Sequence, residues 1–396
     1  MKHRILVLGA GYAGAYSAGV LARRLSPADV EITVVNAEAD FVERMRLHQL
    51  AVGRDLRPRK LADVFAGTGV HLRLARVAAV HPDSGTVTVT DADGDDELGY
   101  DTLLYTLGSR AADHGVPGVA EHAHDVTGIR AALRLRTRLA ELDGGGRVLV
   151  VGEGLTGIET VTEIAEARPD LSVGLVSRGE PGAWLSPGAR GHLHRAFDRL
   201  GITVHEHTRI EAVEAGRAVT ADGTVLPADA TVWAAGFAVA PIAAAAGLDV
   251  TETGRIVVDG TMRSVTHPDV YAAGDTAHAI GSNGRPLPMS CASAGVTGGQ
   301  AIEAIIGRLT GRPVPNKKLP YVGNHISLGR RDGILQMVDG DARSKSWYVG
   351  GRPAARVKAG VLGGSRHSIA HPTFGVPKRR RRLADGPVPS SESVPA

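Results

Sequence analysis

Three glycines near the start of the chain have the spacing needed to bind a phosphate group. Gly9, Gly11 and Gly14 form G-x-G-x-x-G directly after the apolar run at residues 5–8. In such a turn the first glycine permits the bend, the second lets the backbone approach a pyrophosphate, and the third lets helix and strand pack closely. The anion is then bound by unpaired N–H groups at the helix N-terminus. The chemistry indicated is dinucleotide binding.

The same stretch could instead begin a secretory signal peptide, since basic residues followed by an apolar run are common to both. Here the run stops at Gly9, apolar residues then recur at helical intervals over 15–25, and a second strand is predicted at 30–35. This strand, turn, helix and strand are the context that a nucleotide-binding turn requires. We therefore favour the nucleotide-binding interpretation.

The motif occurs a second time in RVLVVGEGLTGIETVTEIAEA, where Gly152, Gly154 and Gly157 repeat the spacing. The flanking elements are predicted to be a strand, an amphipathic helix and another strand, at residues 147–151, 158–167 and 171–176. Two turns that serve only packing are the alternative. A repeated complete unit favours two dinucleotides bound by one chain.

Length and composition exclude several classes of protein. A chain of 396 residues suits two or three domains, and 43% apolar with 22% charged residues is typical of a globular protein. No stretch approaches the roughly 20 apolar residues of a membrane span. The five charges of Lys378–Arg382 exceed the formal net charge of +3, and aromatic residues make up only 4%. The rest of the chain is therefore close to neutral, and no binding to nucleic acid is expected.

Cysteine and histidine residues limit the remaining chemistry. Cys291 is the only cysteine, so no internal disulfide can form and a reducing, cytoplasmic location is expected. We expect a small buried residue there, with a reactive thiol as the alternative. Histidines occur in pairs two residues apart, an interval that does not place two ligands on one helix face. No metal site is expected at them: His192, His194, His205 and His207.

Three later turns complete a pattern across the chain: T-L-G-S with Gly108, A-A-G-F with Gly236, and Y-A-A-G-D with Gly274 and Asp275. Together with the two glycine motifs, their order over residues 1 to about 310 resembles the two-dinucleotide flavoproteins that include type II NADH dehydrogenases and pyridine-nucleotide disulfide reductases. The resemblance implies an α/β fold with two Rossmann-like domains, one for FAD and one for NAD(P)H, the second inserted in the first. A short C-terminal α+β region follows them.

The expected boundaries follow from these landmarks. The FAD-binding domain is expected to comprise residues 1–112 and 239–312, with the NAD(P)H-binding domain at 113–238 between them. Residues 313–376 are expected near the flavin, with strands in NHISLGRRDGILQMV, and residues 377–396 as a basic, disordered tail. Residues 350–377 lack the apolar amphipathic length by which such proteins dock on a bilayer, so at most peripheral contact at the inner face of the membrane is expected, through the basic run.

The resemblance also implies which residues bind FAD. The set is Gly9, Gly11, Gly14, Asn36, Arg44, Gly108, Gly274 and Asp275. Asp275 matches the position that binds the ribityl chain, with a plain helix N-cap as the alternative. Asn36 stands where an acid usually binds the ribose. Arg44 and His48 lie in FVERMRLHQL, which is expected beside the flavin, where His48 is a candidate to contact flavin or substrate; a solvated basic helix face is the alternative.

For NAD(P)H the resemblance implies Gly152, Gly154, Gly157, Gly236, Ser177 and Arg178. The last two stand where an acid would select NADH, and an arginine can pair with a 2′-phosphate. This favours NADPH or the use of both nucleotides, unless Arg178 is an ordinary surface residue. Glu159 matches the glutamate that type II dehydrogenases hold between nicotinamide and flavin, where we expect it to orient the nicotinamide.

The expected function is an FAD-dependent NAD(P)H oxidoreductase that passes electrons to a quinone or another small acceptor. One cysteine cannot supply the dithiol of a disulfide reductase. Ala292 stands where the resemblance would place a quinone-binding glutamine, which keeps open a tailoring oxidoreductase acting on a specialised metabolite. A flavin-binding redox sensor without catalysis is the other alternative. The resemblance leaves the oligomeric state open, with a homodimer among the options.

Overall fold

The computed structural model describes residues 1–314, 319–339, 341 and 343–384. In chain order, the first part contains β1 (His3–Leu8), α1 (Tyr12–Arg24), β2 (Val30–Asn36), α2 (Leu47–Ala51), α3 (Leu61–Phe65), β3 (Val70–Leu74), β4 (Arg76–His81), β5 (Thr86–Asp91), β6 (Gly94–Gly99), β7 (Thr102–Tyr105) and β8 (Arg110–Ala111).

The middle of the chain contains α4 (Val119–His122), β9 (Ala123–His124), α5 (Ile129–Glu141), β10 (Arg147–Val151), α6 (Leu155–Ala167), β11 (Ser172–Val176), α7 (Pro187–Arg199), β12 (Thr203–His205), β13 (Ile210–Glu214), β14 (Arg217–Thr220), β15 (Val225–Pro227), β16 (Ala230–Trp233) and β17 (Phe237–Ala238). The last part contains α8 (Ile242–Ala245), β18 (Ile256–Val257), β19 (Val270–Ala272), β20 (Ala277–His278), α9 (Cys291–Thr310), β21 (Gly323–Ser327), β22 (Gly333–Val338), β23 (Ser344–Gly350) and α10 (Gly351–Ala370). Two 3₁₀ turns, Arg44–Arg46 and Gly274–Thr276, complete the set.

The first large sheet is parallel and joins the two ends of the chain. Its strand order is β19-β7-β1-β2-β3, and β1 pairs with β2 from His3↔Val30 to Leu8↔Val35. Both residues of the last pair are fully buried, as parallel strands covered on both faces require. Helices α1 and α9 pack together, and Arg24 makes a bidentate ion pair with Glu303 at 2.5 and 2.9 Å. Early and late segments therefore share one core.

The second large sheet, β12-β11-β10-β16-β9, is also parallel and lies wholly between β7 and β19 along the chain. The chain leaves and re-enters the first sheet through a short antiparallel pair, where Ala111 of β8 faces Phe237 of β17. The fold class is confirmed: it is α/β, with a second Rossmann-like unit inserted in the first. Small antiparallel sheets, β4-β5-β6 and β13-β14-β15, extend from the two units.

The C-terminal region consists of the antiparallel sheet β21-β22-β23 and the 20-residue helix α10, which packs on it. The sheet also packs against the second unit, because the buried Gln336 Oε1 accepts hydrogen bonds from the backbone N–H and Oγ of Ser186 at 3.1 and 2.7 Å. The sequence does not predict this helix. Its many small residues form no pronounced apolar face, and its position depends on the sheet beneath it.

The basic run differs from the expected disordered tail. Residues 377–384 lie along the first unit, where Arg381 N–H donates to Arg24 O at 2.9 Å and Ser26 N–H donates to Arg381 O at 2.8 Å. Arg382 contacts Asp29 at 3.3 Å. Backbone pairing therefore orders the start of the tail, and residues 385–396 lie outside the described residues. Among the described residues, no helix has the length and apolar character to cross a membrane.

Candidate active site

Both glycine turns open on a single cavity of about 1140 Å³. It is lined by the C-terminal ends of β1 and β10, by the start of α9 and by one side of α10. Single small-molecule sites occupy about 300–1,000 Å³, so this cavity exceeds the space that one ligand of that kind needs. In parallel α/β folds ligands bind at the carboxyl ends of the strands, and here two such ends face each other.

The first turn fits a pyrophosphate. Gly9 has φ +92°, and a Cβ on Gly14 would lie 1.9 Å from Gly9 O. A Cβ on Gly11 would meet nothing within 4 Å, so this glycine leaves open space on the cavity side. No side chain caps the N-terminus of α1, and its N–H groups remain available for an anion. These features match the roles that the sequence predicts for the three glycines.

The second turn has the same geometry. Gly152 has φ +123°, a Cβ on Gly157 would lie 1.8 Å from Gly152 O, and a Cβ on Gly154 would meet nothing within 4 Å. The N-terminus of α6 also has no side-chain cap. Gly236, with φ +130°, follows β16 and lines the same part of the cavity. A second dinucleotide therefore fits this turn.

Asp275 lies in a cluster on the side of the first unit. Its Oδ2 accepts a hydrogen bond from Ser109 Oγ at 2.6 Å, and Arg44 Nη1 lies 3.8 Å from the same oxygen. Arg44 also donates to Ser109 O at 2.9 Å. Gly108 and Gly274, both with positive φ, border this cluster on the cavity wall. Asp275 makes no helix-capping hydrogen bond, so the N-cap alternative has no support.

Asn36 lines the cavity, but its amide is already engaged. Its Oδ1 accepts from Ala10 N–H at 2.9 Å, and its Nδ2 donates to Glu38 O at 2.7 Å. These two bonds hold the amide against the glycine turn and leave one N–H of Nδ2 and one lone pair of Oδ1 for the predicted ribose contact. Glu38 also lines the cavity, and its half-exposed carboxylate lies 3.8 Å from Arg130.

The segment around His48 is buried rather than solvated. Helix α2 packs against α5 and α6, and Leu47, His48, Gln49 and Leu50 are all buried. The alternative of a solvated basic helix face is therefore wrong, because this helix fills the space between the two units. His48 faces the cavity, and its Nε2 has no hydrogen-bond partner among the described residues. Burial lowers the pKa of His48 to about 4, so the imidazole is neutral at pH 7.

Glu159 forms a buried ion pair that the sequence does not reveal. Its Oε1 lies 2.8 Å from Lys358 Nζ of α10 and accepts a hydrogen bond from Ser327 N–H at 2.9 Å. Burial works against ionisation, but Lys358 and the Ser327 N–H outweigh it and hold the pKa of Glu159 below its ordinary value. Lys358 Nζ also donates to His325 O at 2.9 Å. The pair connects the second unit to the C-terminal region at the cavity wall.

The two residues predicted to contact the ribose at the end of β11, Ser177 and Arg178, differ in their exposure. Arg178 is exposed and lines the cavity. Ser177 is buried and is not on the cavity wall, and its Oγ lies within hydrogen-bond distance of both Glu153 Oε2 and Gly179 O. Glu153, the middle residue of the second G-x-G, lines the cavity itself. A carboxylate from the glycine turn thus lies at the end of β11.

The start of α9 lines the opposite wall of the cavity with Met289, Ser290, Cys291 and Ala292. Ser290 caps this helix by accepting from Ser293 N–H at 3.1 Å. Burial raises the pKa of Cys291 to about 11, so the thiol stays protonated at neutral pH and is a poor nucleophile. Ala292 offers no polar group. The nearby polar side chains come from the C-terminal region instead: Tyr321, Asn324, His325 and Lys358.

Two residues of the site escape the sequence analysis although each leaves a signal. Lys358 shares a helix face with Ala354, Val361 and Ser365, at intervals of four, three and four residues. A lone lysine in a face of small and apolar residues indicates a buried charge in need of a partner. Glu153 is an acid inside a phosphate-binding turn. Its negative charge would repel a bound pyrophosphate, so an acid at this position indicates a separate role.

A sequence profile of the pyridine nucleotide-disulphide oxidoreductases matches residues 3–298. An NADH dehydrogenase-like protein of Mycobacterium tuberculosis is 29% identical over 356 residues, which cover 84% of this chain and 87% of the relative. A demethylphylloquinone reductase of a Synechocystis species is 24% identical over 350 residues, covering 84% and 86%. The chain also superimposes on NDH2 of Plasmodium falciparum with a TM-score of 0.77 at 14% identity, covering 96% of this chain and 99% of that one. This last similarity concerns the fold.

Proposed function

The chain belongs to the pyridine nucleotide-disulphide oxidoreductase family, and we propose that it is an FAD-dependent enzyme that takes hydride from NAD(P)H and passes electrons to a quinone. One observation carries the proposal: two glycine turns, each shaped for a pyrophosphate, open on one cavity whose wall holds a buried Glu159–Lys358 ion pair. Bound FAD would accept hydride from the nicotinamide and release its electrons to the second substrate.

The chain's own residues bind and align the two dinucleotides. The turn at Gly9, Gly11 and Gly14 would hold the FAD pyrophosphate, and the matching turn in the second unit would hold that of NAD(P)H. Asp275, positioned by Ser109 and Arg44, would accept hydrogen bonds from the ribityl hydroxyls. Because the turns stand on separate sheets that face each other, the two reactive rings would meet between them.

The buried polar groups would orient the nicotinamide ring and form hydrogen bonds with the bound ligands. Glu159 projects from α6 onto the cavity wall, so its fixed carboxylate would orient the nicotinamide ring. Lys358 favours the ionised form of this buried carboxylate. His48 Nε2 has no partner in the described part of the chain and stays neutral, so it can donate or accept one hydrogen bond to a ligand.

Support for a quinone as acceptor comes from the relatives and from the C-terminal region. The Synechocystis relative is named a demethylphylloquinone reductase. In this chain Ala292 cannot bind a carbonyl oxygen, but the amide of Asn324 and the Lys358 ammonium line the cavity close by. They would supply the donors that a quinone needs. Cys291 stands alone as a protonated thiol, which leaves no dithiol route for the electrons.

In the proposed domain division, the FAD-binding domain comprises residues 1–112 and 239–312, and the NAD(P)H-binding domain comprises residues 113–238. The C-terminal region, residues 313–376, would close the site. We propose a reducing, cytoplasmic setting because a chain with a single cysteine forms no internal disulfide. At most peripheral contact with the membrane would be made by the basic residues after Pro377.

Anaerobic stopped-flow spectroscopy of the holoprotein tests this function. Excess NADH or NADPH should bleach the flavin absorbance within seconds, and a soluble quinone should restore it faster than oxygen does. A protein that stays colourless after FAD is supplied, or a yellow one that neither nucleotide bleaches, would contradict the proposal. Bleaching that no quinone of a broad panel reverses would retain the hydride step and reject the quinone.

A further inference from the structure

The end of the cavity beside β11 carries charges of both signs. Glu153, Arg178 and Arg209 all line it, and neither arginine side chain makes an ion pair or hydrogen bond with another described residue. In the βαβ nucleotide-binding unit, the adenosine ribose lies at the end of the second strand. That strand is β11 here, so these three side chains surround the place where NADH has a 2′-hydroxyl and NADPH a 2′-phosphate.

Glu153 is held in one orientation. Its Oε2 accepts hydrogen bonds from Ser177 Oγ and, at 3.4 Å, from Gly179 N–H. Its Oε1 has no partner among the described residues and is left to accept a hydroxyl from the ligand. A fixed carboxylate suits a ribose hydroxyl and repels a phosphate dianion.

Arg178 and Arg209 are brought together by the backbone. Thr208 N–H donates to Ser177 O at 2.8 Å, so the backbones of the residues that follow them, Arg178 and Arg209, lie close together. Both side chains are exposed and without an ion-pair partner in the described part of the chain. Two unpaired guanidinium groups that extend from neighbouring backbone positions into one cavity can together bind a phosphate group.

We propose that Glu153 and Arg209 set the nicotinamide preference of this chain from opposite sides. Glu153 receives the ribose hydroxyls of NADH, and Arg209 acts with Arg178 to pair with the 2′-phosphate of NADPH, so that both nucleotides are substrates. The inference rests on the proposed function and identifies the residues that choose its electron donor. Neither residue is found from the sequence, because the glycine motif and the loop before β13 come together only in the fold.

The test compares Glu153→Gln and Arg209→Ala with the wild-type holoenzyme. Glutamine keeps an oxygen for Ser177 but removes the charge, so the NADPH to NADH ratio of kcat/KM should rise about tenfold or more. Removal of Arg209 should lower the same ratio by a similar factor. Glu180→Gln is the matched control, because Glu180 lies three residues after Ser177, pairs with Arg190 and is not on the cavity wall; its ratio should change less than about twofold.

A binding measurement separates this inference from the reaction itself. Calorimetric titration of the holoenzyme with ADP and with 2′,5′-ADP should show Glu153→Gln weakening ADP and tightening 2′,5′-ADP, and Arg209→Ala weakening only 2′,5′-ADP. Equal effects on both ligands, or an unchanged ratio in either variant, would overturn the proposal. Flavin that no nucleotide bleaches would contradict the proposed function, whereas the two ADP ligands would still report on these residues.

Discussion

Lys358 Nζ lies 2.8 Å from Glu159 Oε1, and both side chains are almost fully buried. The glutamate belongs to the helix of the second glycine turn, and the lysine belongs to α10. This ion pair closes the cavity between the two dinucleotide units and the C-terminal region. Its partners depend on each other, because either charge alone would be buried without compensation.

Replacement of Lys358 should therefore lower the free energy of unfolding by more than the lost packing contacts alone would. In Lys358→Met, Glu159 is left unpaired, which costs about 3 kcal/mol or more and should lower the melting temperature by roughly 5 °C or more. Glu159→Gln combined with Lys358→Met should lie closer to the wild type than the single lysine variant does. Lys345→Met, at an exposed lysine, is the control. A fully additive double variant would show that the two residues do not interact.

His48 should make the protein less stable in mild acid. Its pKa is lowered to about 4 in the folded chain but is about 6.5 when unfolded, so the unfolded chain binds more protons between these values. Stability is therefore lost as the pH falls from about 6.5 towards 4, by up to roughly 3 kcal/mol. The fall in melting temperature between pH 7 and pH 5 should be smaller in His48→Gln. The exposed His122→Gln should behave like the wild type, and equal falls in all three proteins would refute the assignment.

The second glycine turn offers a pair of variants with different consequences. Gly157→Ala places a Cβ 1.8 Å from Gly152 O, so the turn must open and the melting temperature should fall by several degrees. Gly154→Ala meets nothing within 4 Å and should fold normally, yet it should weaken NAD(P)H binding at least about tenfold, because the methyl group occupies the space of the pyrophosphate. Thermal melts and nucleotide titrations measure the two effects. Tight nucleotide binding by Gly154→Ala would mean that the ligand lies elsewhere.

Cys291 should be dispensable for electron transfer. Burial raises the pKa of its thiol to about 11, so iodoacetamide at pH 8 should alkylate the native protein far more slowly than the unfolded one. Cys291→Ser should keep the rate of quinone reduction within about threefold, since its electron route needs no thiolate. Mass spectrometry follows the alkylation. Loss of turnover in the serine variant, with flavin bleaching intact, would assign the thiol a place between flavin and acceptor.

Several features of the site can be predicted from sequence because they are local. The glycine turns depend on residues within six positions of each other, and the positive φ of the first glycine and the close contact of the third exclude other side chains there. The β2, β10 and β11 strands agree with the sequence prediction to within one residue for the same reason. Long-range contacts are harder to predict from the sequence. Asn36 is predicted to contact the ribose, and only the fold shows that its amide also bonds to Ala10 and Glu38.

Residue types and short spacings were enough to establish the fold class, the two phosphate-binding turns and the lack of a dithiol. The pairing of Glu159 with Lys358, the neutral state of His48 and the position of Glu153 at the end of β11 followed only from the packing of distant segments. Ionisation and hydrogen bonding of buried groups depend on which partners packing brings within about 3–4 Å. Residues far apart in the chain acquire those partners only when the two units and the last helix close around one cavity.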